Sequence, residues 1–204
     1  MRALSEPVLA VVTDRTRLAP RWALAQAVAE AVTGGANLVI LNEPDLPRPA
    51  LATLARFLRD GIAGRASWVL VGSAESARAC GADGALVGVG DLAAARHALG
   101  ESGLLGAIVR SESDARAAIH ADFFYAAVDW AASDTLSLVT ALCRAASVPV
   151  IAGMDPTPDQ ARAARAAGAA GIALCQGPMA AEHRAALVRE YLRSAADPDH
   201  PLEE

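Results

Sequence analysis

Apolar and polar residues alternate along this chain in blocks rather than singly. Short apolar runs recur from residue 8 to residue 175, and longer stretches of Ala, Arg, Leu and Glu separate them. Strands that are apolar on both faces and alternate with helices are typical of a parallel sheet covered by helices. The predicted strands span residues 8–13, 37–41, 67–71, 84–87, 105–109, 123–128, 148–152 and 171–175.

The stretches between these runs have helical character. Glycine stands where several of them end, as at Gly81 and Gly168, and a glycine just past the last turn is a common helix stop. The segments GGANLVIL, CGADGALVG and AGAAGIALC repeat one order of helix end, glycine and strand. The predicted helices span residues 21–33, 49–63, 73–80, 92–99, 113–119, 134–146, 157–167 and 180–195.

The number and spacing of these units predict an α/β protein with a single (β/α)8 TIM barrel. Strand starts recur every ~20–30 residues, about the length of one strand–helix unit. An open doubly wound sheet is the alternative, but it would carry a glycine-rich phosphate loop after its first strand. The chain reads Thr13-Asp14-Arg15 there. We predict a barrel domain over residues 1–195 and a polar, acidic tail over residues 196–204.

Composition and charge exclude several classes of function. All 18 Lys and Arg positions are arginine, which removes Schiff-base lysine chemistry and the P-loop lysine. The net charge of −5 without a basic stripe argues against nucleic acid as a partner. No apolar run approaches the ~18 residues of a membrane span, and the N-terminus lacks an export-signal pattern. We therefore expect a cytoplasmic protein without a membrane partner.

Candidate chemistry lies where the predicted strands end, because barrel active sites form at the C-terminal ends of strands. Arg15 follows the first strand and Arg110 the fifth, and both could grip a phosphate through bidentate contacts. Strand ends also carry the carboxylates Glu43, Asp91, Asp129 and Asp155. Such oxygen ligands suit Mg²⁺. A structural alternative exists for two of them, since Asp91 is placed to cap the next helix and Asp155 opens a DPTP turn.

Histidine and cysteine offer little at these positions. His97, His120 and His183 fall within or at the end of predicted helices, away from the strand ends, so no Ser/His/Asp triad can be assembled. The three cysteines are too widely spaced for a structural zinc site or a disulfide framework. Only Cys175 lies near a predicted strand end.

Four segments of the chain resemble the thiamine phosphate synthase family, which includes the TenI-type thiazole tautomerases. They are VLAVVTDR, GGANLVIL with DLP close behind, CGADGALVGVGDL, and TPDQARAARAAGAAGIAL. The likeness runs from about Val8 to Met179 and preserves the order of eight strands. It implies a TIM barrel, a phosphorylated small-molecule ligand, Mg²⁺ as a cofactor and a place in thiamine biosynthesis.

The resemblance also assigns roles to residues. Asp91 corresponds to the metal-binding aspartate of the family motif HxGQxD. Asn42 falls within the strand 2 motif QxRxK, which binds the pyrimidine diphosphate, and Arg15 or Arg110 would clamp that diphosphate. Arg15, Asn42 and Arg110 form the implied catalytic set. The implied substrate-binding set, for the thiazole phosphate, is Gly153, Met154, Gln176 and Gly177.

Several family positions are changed in this chain. The QxRxK motif reads Ile40, Asn42 and Pro44, and the loop after strand 6 has no lysine. The glycine pair that holds a phosphate after strand 7 aligns with Met154 and Asp155. A phosphate nest needs glycine for close backbone approach, and an aspartate there would repel a dianion.

Three functional hypotheses follow. The first is a synthase that joins hydroxymethylpyrimidine diphosphate to thiazole phosphate with release of pyrophosphate. The second is a degenerate family member that binds a ligand or acts in regulation without turnover. The third is an enzyme of changed specificity on the same barrel. Self-association into a homo-oligomer stays open in each.

Overall fold

The fold is a closed barrel of eight parallel strands. The computed structural model of the chain describes residues 4–18, 20 and 23–196. Strands pair in sequence order, and β8 returns to β1 with Val8 opposite Gly171. The predicted (β/α)8 TIM barrel is therefore confirmed. The strands are β1 Val8–Val12, β2 Leu38–Leu41, β3 Ser67–Val71, β4 Gly84–Gly88, β5 Leu104–Val109, β6 Phe123–Ala126, β7 Val150–Ala152 and β8 Gly171–Leu174.

Helices follow every strand of the barrel. Short 3-10 turns at Arg15–Arg17 and Val89–Asp91 precede two of them. The helices are α1 Leu24–Gly34, α2 Arg48–Ile62, α3 Ala74–Cys80, α4 Leu92–Leu99, α5 Glu112–Ala117, α6 Thr135–Ala145, α7 Pro158–Ala166, α8 Gln176–Ala180 and α9 Arg184–Ala196.

Local sequence explains where several helices begin and end. The Thr157 side chain accepts the N–H of Gln160, whose side chain returns to the N–H of Thr157, and this capping box starts α7. Ser73 and Ser111 cap α3 and α5 with a single hydrogen bond each, in which the serine hydroxyl accepts a backbone N–H of the first turn. Gly81 ends α3 with φ +74, a left-handed conformation that glycine adopts without steric cost.

The core consists of the strands and the helix faces that cover them. All five residues of β1 and all four residues of β2 are buried. Phe123 fills the barrel interior, where its ring lies close to Gly106. Burial on both faces explains why these segments read as continuous apolar runs rather than alternating ones.

The last helical segment differs from the prediction. A single helix over residues 180–195 was expected, whereas α8 begins directly after β8 and a break at residues 181–183 separates it from α9. The sequence pattern places Gln176 and Gly177 at the end of the last strand and predicts a helix start at residue 180. Pro178 lies in the first turn of α8. N–H groups in the first turn make no hydrogen bond within the helix, so a proline there costs none.

The chain ends are only partly covered by the structure. Residues 197–204 of the predicted tail, and Arg21 at the predicted start of the first helix, lie outside the described residues. Among the described helices, none combines the length and apolar character needed to cross a membrane.

Candidate functional site

The C-terminal ends of the strands surround a cavity of about 430 Å³. Most of its wall is apolar, and the polar groups come from four residues. The lining residues are Val12, Ile40, Asn42, Val71, Leu86, Ile108, Arg110, Tyr125, Ala127, Val128, Asp129 and Met154. We call this cavity the mouth. Asn42, Arg110 and Met154, which the sequence analysis placed in the site, therefore lie together here.

Arg110 provides an unpaired positive charge at the mouth. Its backbone N–H donates to Asp114 Oδ2 at 2.8 Å, and the Ser111 hydroxyl accepts the N–H of Asp114 at 3.2 Å. These contacts fix the start of α5 and the position of Arg110. No carboxylate pairs with its guanidinium in the described part of the chain. The group is thus free to make a bidentate contact with a ligand anion.

Arg15 is engaged by the protein itself. Its Nη1 lies 3.0 Å from Glu43 Oε2 and its Nη2 lies 2.5 Å from Asp45 Oδ2. The backbone N–H of Arg15 also donates to Glu43 Oε1 at 3.0 Å. These hydrogen bonds, to Asp45 first and then Glu43, raise the pKa of Arg15 above its ordinary value. A phosphate could bind Arg15 only in competition with two carboxylates.

Asn42 presents a neutral amide to the mouth. Its backbone N–H donates to the hydroxyl of the fully buried Thr13 at 3.0 Å, which ties the end of β2 to the end of β1. The side chain of Asn42 lines the cavity. An amide can orient a ligand through hydrogen bonds, but it does not neutralise a phosphate.

The turn after β7 holds Asp155 against the start of α8. Asp155 has a left-handed backbone, with φ +58, and its N–H donates to the Ala173 carbonyl at 2.8 Å. Its Oδ1 accepts the backbone N–H groups of Cys175 at 2.7 Å and Gln176 at 3.0 Å. A carboxylate of the protein thus occupies the backbone donors at the start of α8.

Gly153 is a glycine for packing reasons. Its N–H donates to the Ala126 carbonyl at 2.9 Å, and its own carbonyl accepts the indole N–H of Trp130. A Cβ on Gly153 would lie 3.1 Å from Tyr125 Oη and even closer to the Ala126 carbonyl oxygen. Both backbone polar groups of Gly153 are therefore satisfied by neighbouring strands and loops, and neither is directed at a ligand.

The other three members of the implied substrate-binding set lie in two different places. Met154 turns its half-exposed side chain into the mouth. Gln176 and Gly177 form the first turn of α8, where the N–H of Gln176 is taken by Asp155. A Cβ on Gly177 would lie 3.2 Å from a Leu187 methyl group. The structure brings Gln176 and Gly177 beside the Asp155 carboxylate rather than to an open backbone nest.

Sequence reasoning did not single out Tyr125. Tyr125 lines the mouth from β6, two residues after the buried Phe123, and this two-residue period along FFYA was the available signal. Burial first, then the charges of Cys175 and Asp155, raise the pKa of Tyr125 to about 12. Burial first, then Asp155, likewise raises the pKa of Cys175 to about 12. Both groups are protonated at neutral pH, so Tyr125 can donate a hydrogen bond.

Asp91 lies in a neighbouring hollow of about 380 Å³, lined also by Ser73, Glu75 and Gly88. The expected cap does not form, since the Asp91 side chain makes no hydrogen bond to the start of α4. No group of three or more His, Cys, Asp or Glu side chains in the described residues could hold a metal ion. The four strand-end carboxylates do not converge, and the residues present do not fit a Mg²⁺ ion held by the protein alone.

Comparison with known proteins agrees with the barrel and its order of elements. The family described as thiamine monophosphate synthase (TMP-TENI) matches residues 9–177. A thiamine-phosphate synthase from Solidesulfovibrio magneticus is 38% identical over 121 residues, which are 58% of this chain and 57% of that protein. One from Azorhizobium caulinodans is 39% identical over 106 residues, half of each chain. The matches thus span about half the length of these curated relatives.

Among solved structures, a thiamine phosphate pyrophosphorylase from Pyrococcus furiosus superposes with a TM-score of 0.82. That comparison has 25% sequence identity and covers 95% of this chain and 97% of the other. The similarity therefore extends over the whole barrel. Because the family match covers most of its length, this chain belongs to the thiamine monophosphate synthase family.

Proposed function

We propose that this chain binds one phosphorylated small molecule in the mouth, with the phosphate at Arg110, and does not carry out the coupling reaction. The observation that carries the proposal is the charge arrangement. Arg110 is the cation of the described residues that lines the mouth, and none of their carboxylates forms an ion pair with it, including Asp129 of the same wall. The rest of the wall is largely apolar, which suits the organic body of a small ligand.

The coupling reaction makes larger electrostatic demands. It would bring together a pyrimidine diphosphate and a thiazole phosphate and would stabilise pyrophosphate as it leaves. Removing one preorganised donor typically lowers a rate by about 10²–10³. Here Arg15 is bound to Glu43 and Asp45, the chain has no lysine, and Asp155 takes backbone N–H groups after β8.

The coupling reaction is the second candidate, and the family match supports it. In that case Arg110 would hold the diphosphate, because its planar guanidinium suits bidentate contact with phosphate oxygens. Asn42 and Tyr125 would orient the substrates from the mouth. Asp91 would have to hold Mg²⁺ with help from the diphosphate oxygens, since the protein supplies no complete ligand set in the described residues.

Binding and turnover can be measured on the same preparations. Thermal shift and calorimetry with the thiazole phosphate and the pyrimidine diphosphate, with and without Mg²⁺, report binding, because a bound ligand raises stability by mass action. Pyrophosphate release with both compounds reports coupling. We expect binding without release.

Arg110→Ala is the test variant and Arg116→Ala the matched control. Arg116 lies on α5 and, among the residues that the structure describes, pairs with the exposed Glu112, so its loss should leave binding unchanged. Binding that survives Arg110→Ala would contradict the proposed site. Robust pyrophosphate release by the wild type would favour the synthase instead. A cytoplasmic location and self-association remain predictions from the sequence.

A further inference from the structure

The negative charge of Asp155 is held by backbone donors and by no cation. Its carboxylate accepts from Cys175 at 2.7 Å and from Gln176 at 3.0 and 3.2 Å. No arginine forms an ion pair with it among the residues that the structure describes. Backbone N–H groups carry no net charge, so these hydrogen bonds leave the negative charge of the carboxylate uncompensated.

That charge lies next to the mouth. Met154, one residue before Asp155, lines the cavity, and so does Tyr125. The hydroxyl of Tyr125 lies 3.1 Å from the position that a Cβ on Gly153 would occupy. Burial first, then Cys175 and Asp155, raise the pKa of Tyr125, which agrees with a position of Asp155 close to the cavity wall.

We propose that Asp155 determines ligand specificity by acting as a resident anion on the β7–β8 side of the mouth. The ligand's phosphate must then face Arg110, and its other end must be uncharged or cationic. A phosphate on the β7–β8 side would have to displace the carboxylate from its two N–H donors and would meet its repulsion. This inference rests on the proposed function and adds an orientation to it.

The test compares hexyl monophosphate with the bisphosphate of hexanediol, measured by calorimetry at constant ionic strength. The wild type should bind the monophosphate at least as well as the bisphosphate. Asp155→Asn keeps an oxygen acceptor for Cys175 and Gln176 but removes the charge. It should improve bisphosphate binding relative to monophosphate by about fivefold, the order expected for one nearby charge in partly aqueous surroundings.

Asp60→Asn is the matched control, because it removes the same charge from the exposed surface of α2 and should leave the ratio unchanged. A ratio that Asp155→Asn does not shift, or a wild type that prefers the bisphosphate, would overturn the inference and leave the proposed function standing. Binding of neither compound to the wild type would overturn both.

A measurement on the wild type alone covers the case in which the variant does not fold. The amide resonances of Cys175 and Gln176 should stay in place during titration with hexyl monophosphate, because Asp155 already occupies them. The amide resonances around Arg110 should move. Movement of the Cys175 and Gln176 amides by phosphate contact would show a second anion at this turn and would refute a resident carboxylate.

Discussion

Replacing Arg15 by alanine separates a structural role from a ligand-binding role. Arg15 contacts Glu43 twice, through Nη1 and through its backbone N–H, each at 3.0 Å. The Glu43 side chain is only 2% exposed, whereas that of Asp45 is 57% exposed. The substitution would leave the buried Glu43 carboxylate with the backbone N–H as its remaining contact in the described residues.

The expected loss of stability follows from that burial. A buried polar group left without a partner costs about 1–3 kcal/mol, and a charged one lies toward the upper end. Water reaches the pair from the Arg15 side, which is 17% exposed, so we expect about 2 kcal/mol from Glu43. The exposed contact with Asp45 adds less than about 1 kcal/mol. At about 2–4 °C per kcal/mol, Tm should fall by about 4–12 °C.

Urea unfolding followed by circular dichroism measures this loss. The matched control is Arg17→Ala, because Arg17 pairs with Asp14 at 2.9 Å with both side chains substantially exposed, and it should lose less than about 1 kcal/mol. Arg15→Ala should keep its thermal shift with phosphorylated ligands. If it instead loses that shift and is no less stable than Arg17→Ala, then Arg15 is a ligand clamp and the reasoning is wrong.

Three further predictions concern the mouth and its surroundings. Gly153→Ala should lose about 1–3 kcal/mol in urea unfolding because its Cβ would clash with the Ala126 carbonyl oxygen and crowd the Tyr125 hydroxyl. Gly90→Ala, with open space around it, should change little, and equal losses would contradict the packing argument. Cys175, with its pKa raised to about 12, should resist iodoacetamide at pH 8 in the folded protein and react after unfolding, and modification of the folded form would show an accessible thiolate. The unfolded thiol ionises near its ordinary pKa of 9.0, whereas the folded thiol stays protonated to a higher pH. The contribution of Cys175 to the free energy of unfolding is therefore fully present below pH 9 and is lost as pH rises toward 12. Cys175→Ala should therefore reduce the fall in unfolding free energy between pH 9 and 11 by up to about 1 kcal/mol per pH unit, and an unchanged slope would refute the shift.

The sequence predicted the barrel because its strands are buried on both faces. The interpretation of residues 67–71 as a strand and of residues 92–99 as a helix coincides with β3 and α4. The predicted bounds differ from the observed ones where an apolar run continues past the last residue of the strand. The run at 123–128 was read as one strand, but β6 ends at Ala126 and the following two residues line the mouth. Hydropathy cannot separate a strand from an apolar cavity wall.

The expectation that barrel active sites form at the C-terminal ends of strands selected Arg110 and Asn42, and both residues line the mouth. The same expectation could not show that Arg15 is occupied. Its partners Glu43 and Asp45 lie 28 and 30 residues further along the chain, on the neighbouring strand's loop. Whether an arginine faces a ligand or a carboxylate depends on side-chain geometry between loops, and no periodicity in the sequence carries that information.

The hydrogen-bond partners of Asp155 depend on strand register, which the sequence pattern does not reveal. The motif DPTP indicates a turn, and a turn residue is ordinarily assigned only local hydrogen bonds. In the barrel, Ala152 of β7 pairs with Ile172 of β8, so the residues three places further along each chain segment, Asp155 and Cys175, come side by side. The carboxylate then reaches the N–H groups at the start of α8. The register is a property of the barrel, whereas the charge is a property of the residue at position 155. The charge that a ligand can carry on the β7–β8 side of the mouth should therefore follow the residue at position 155 rather than the fold.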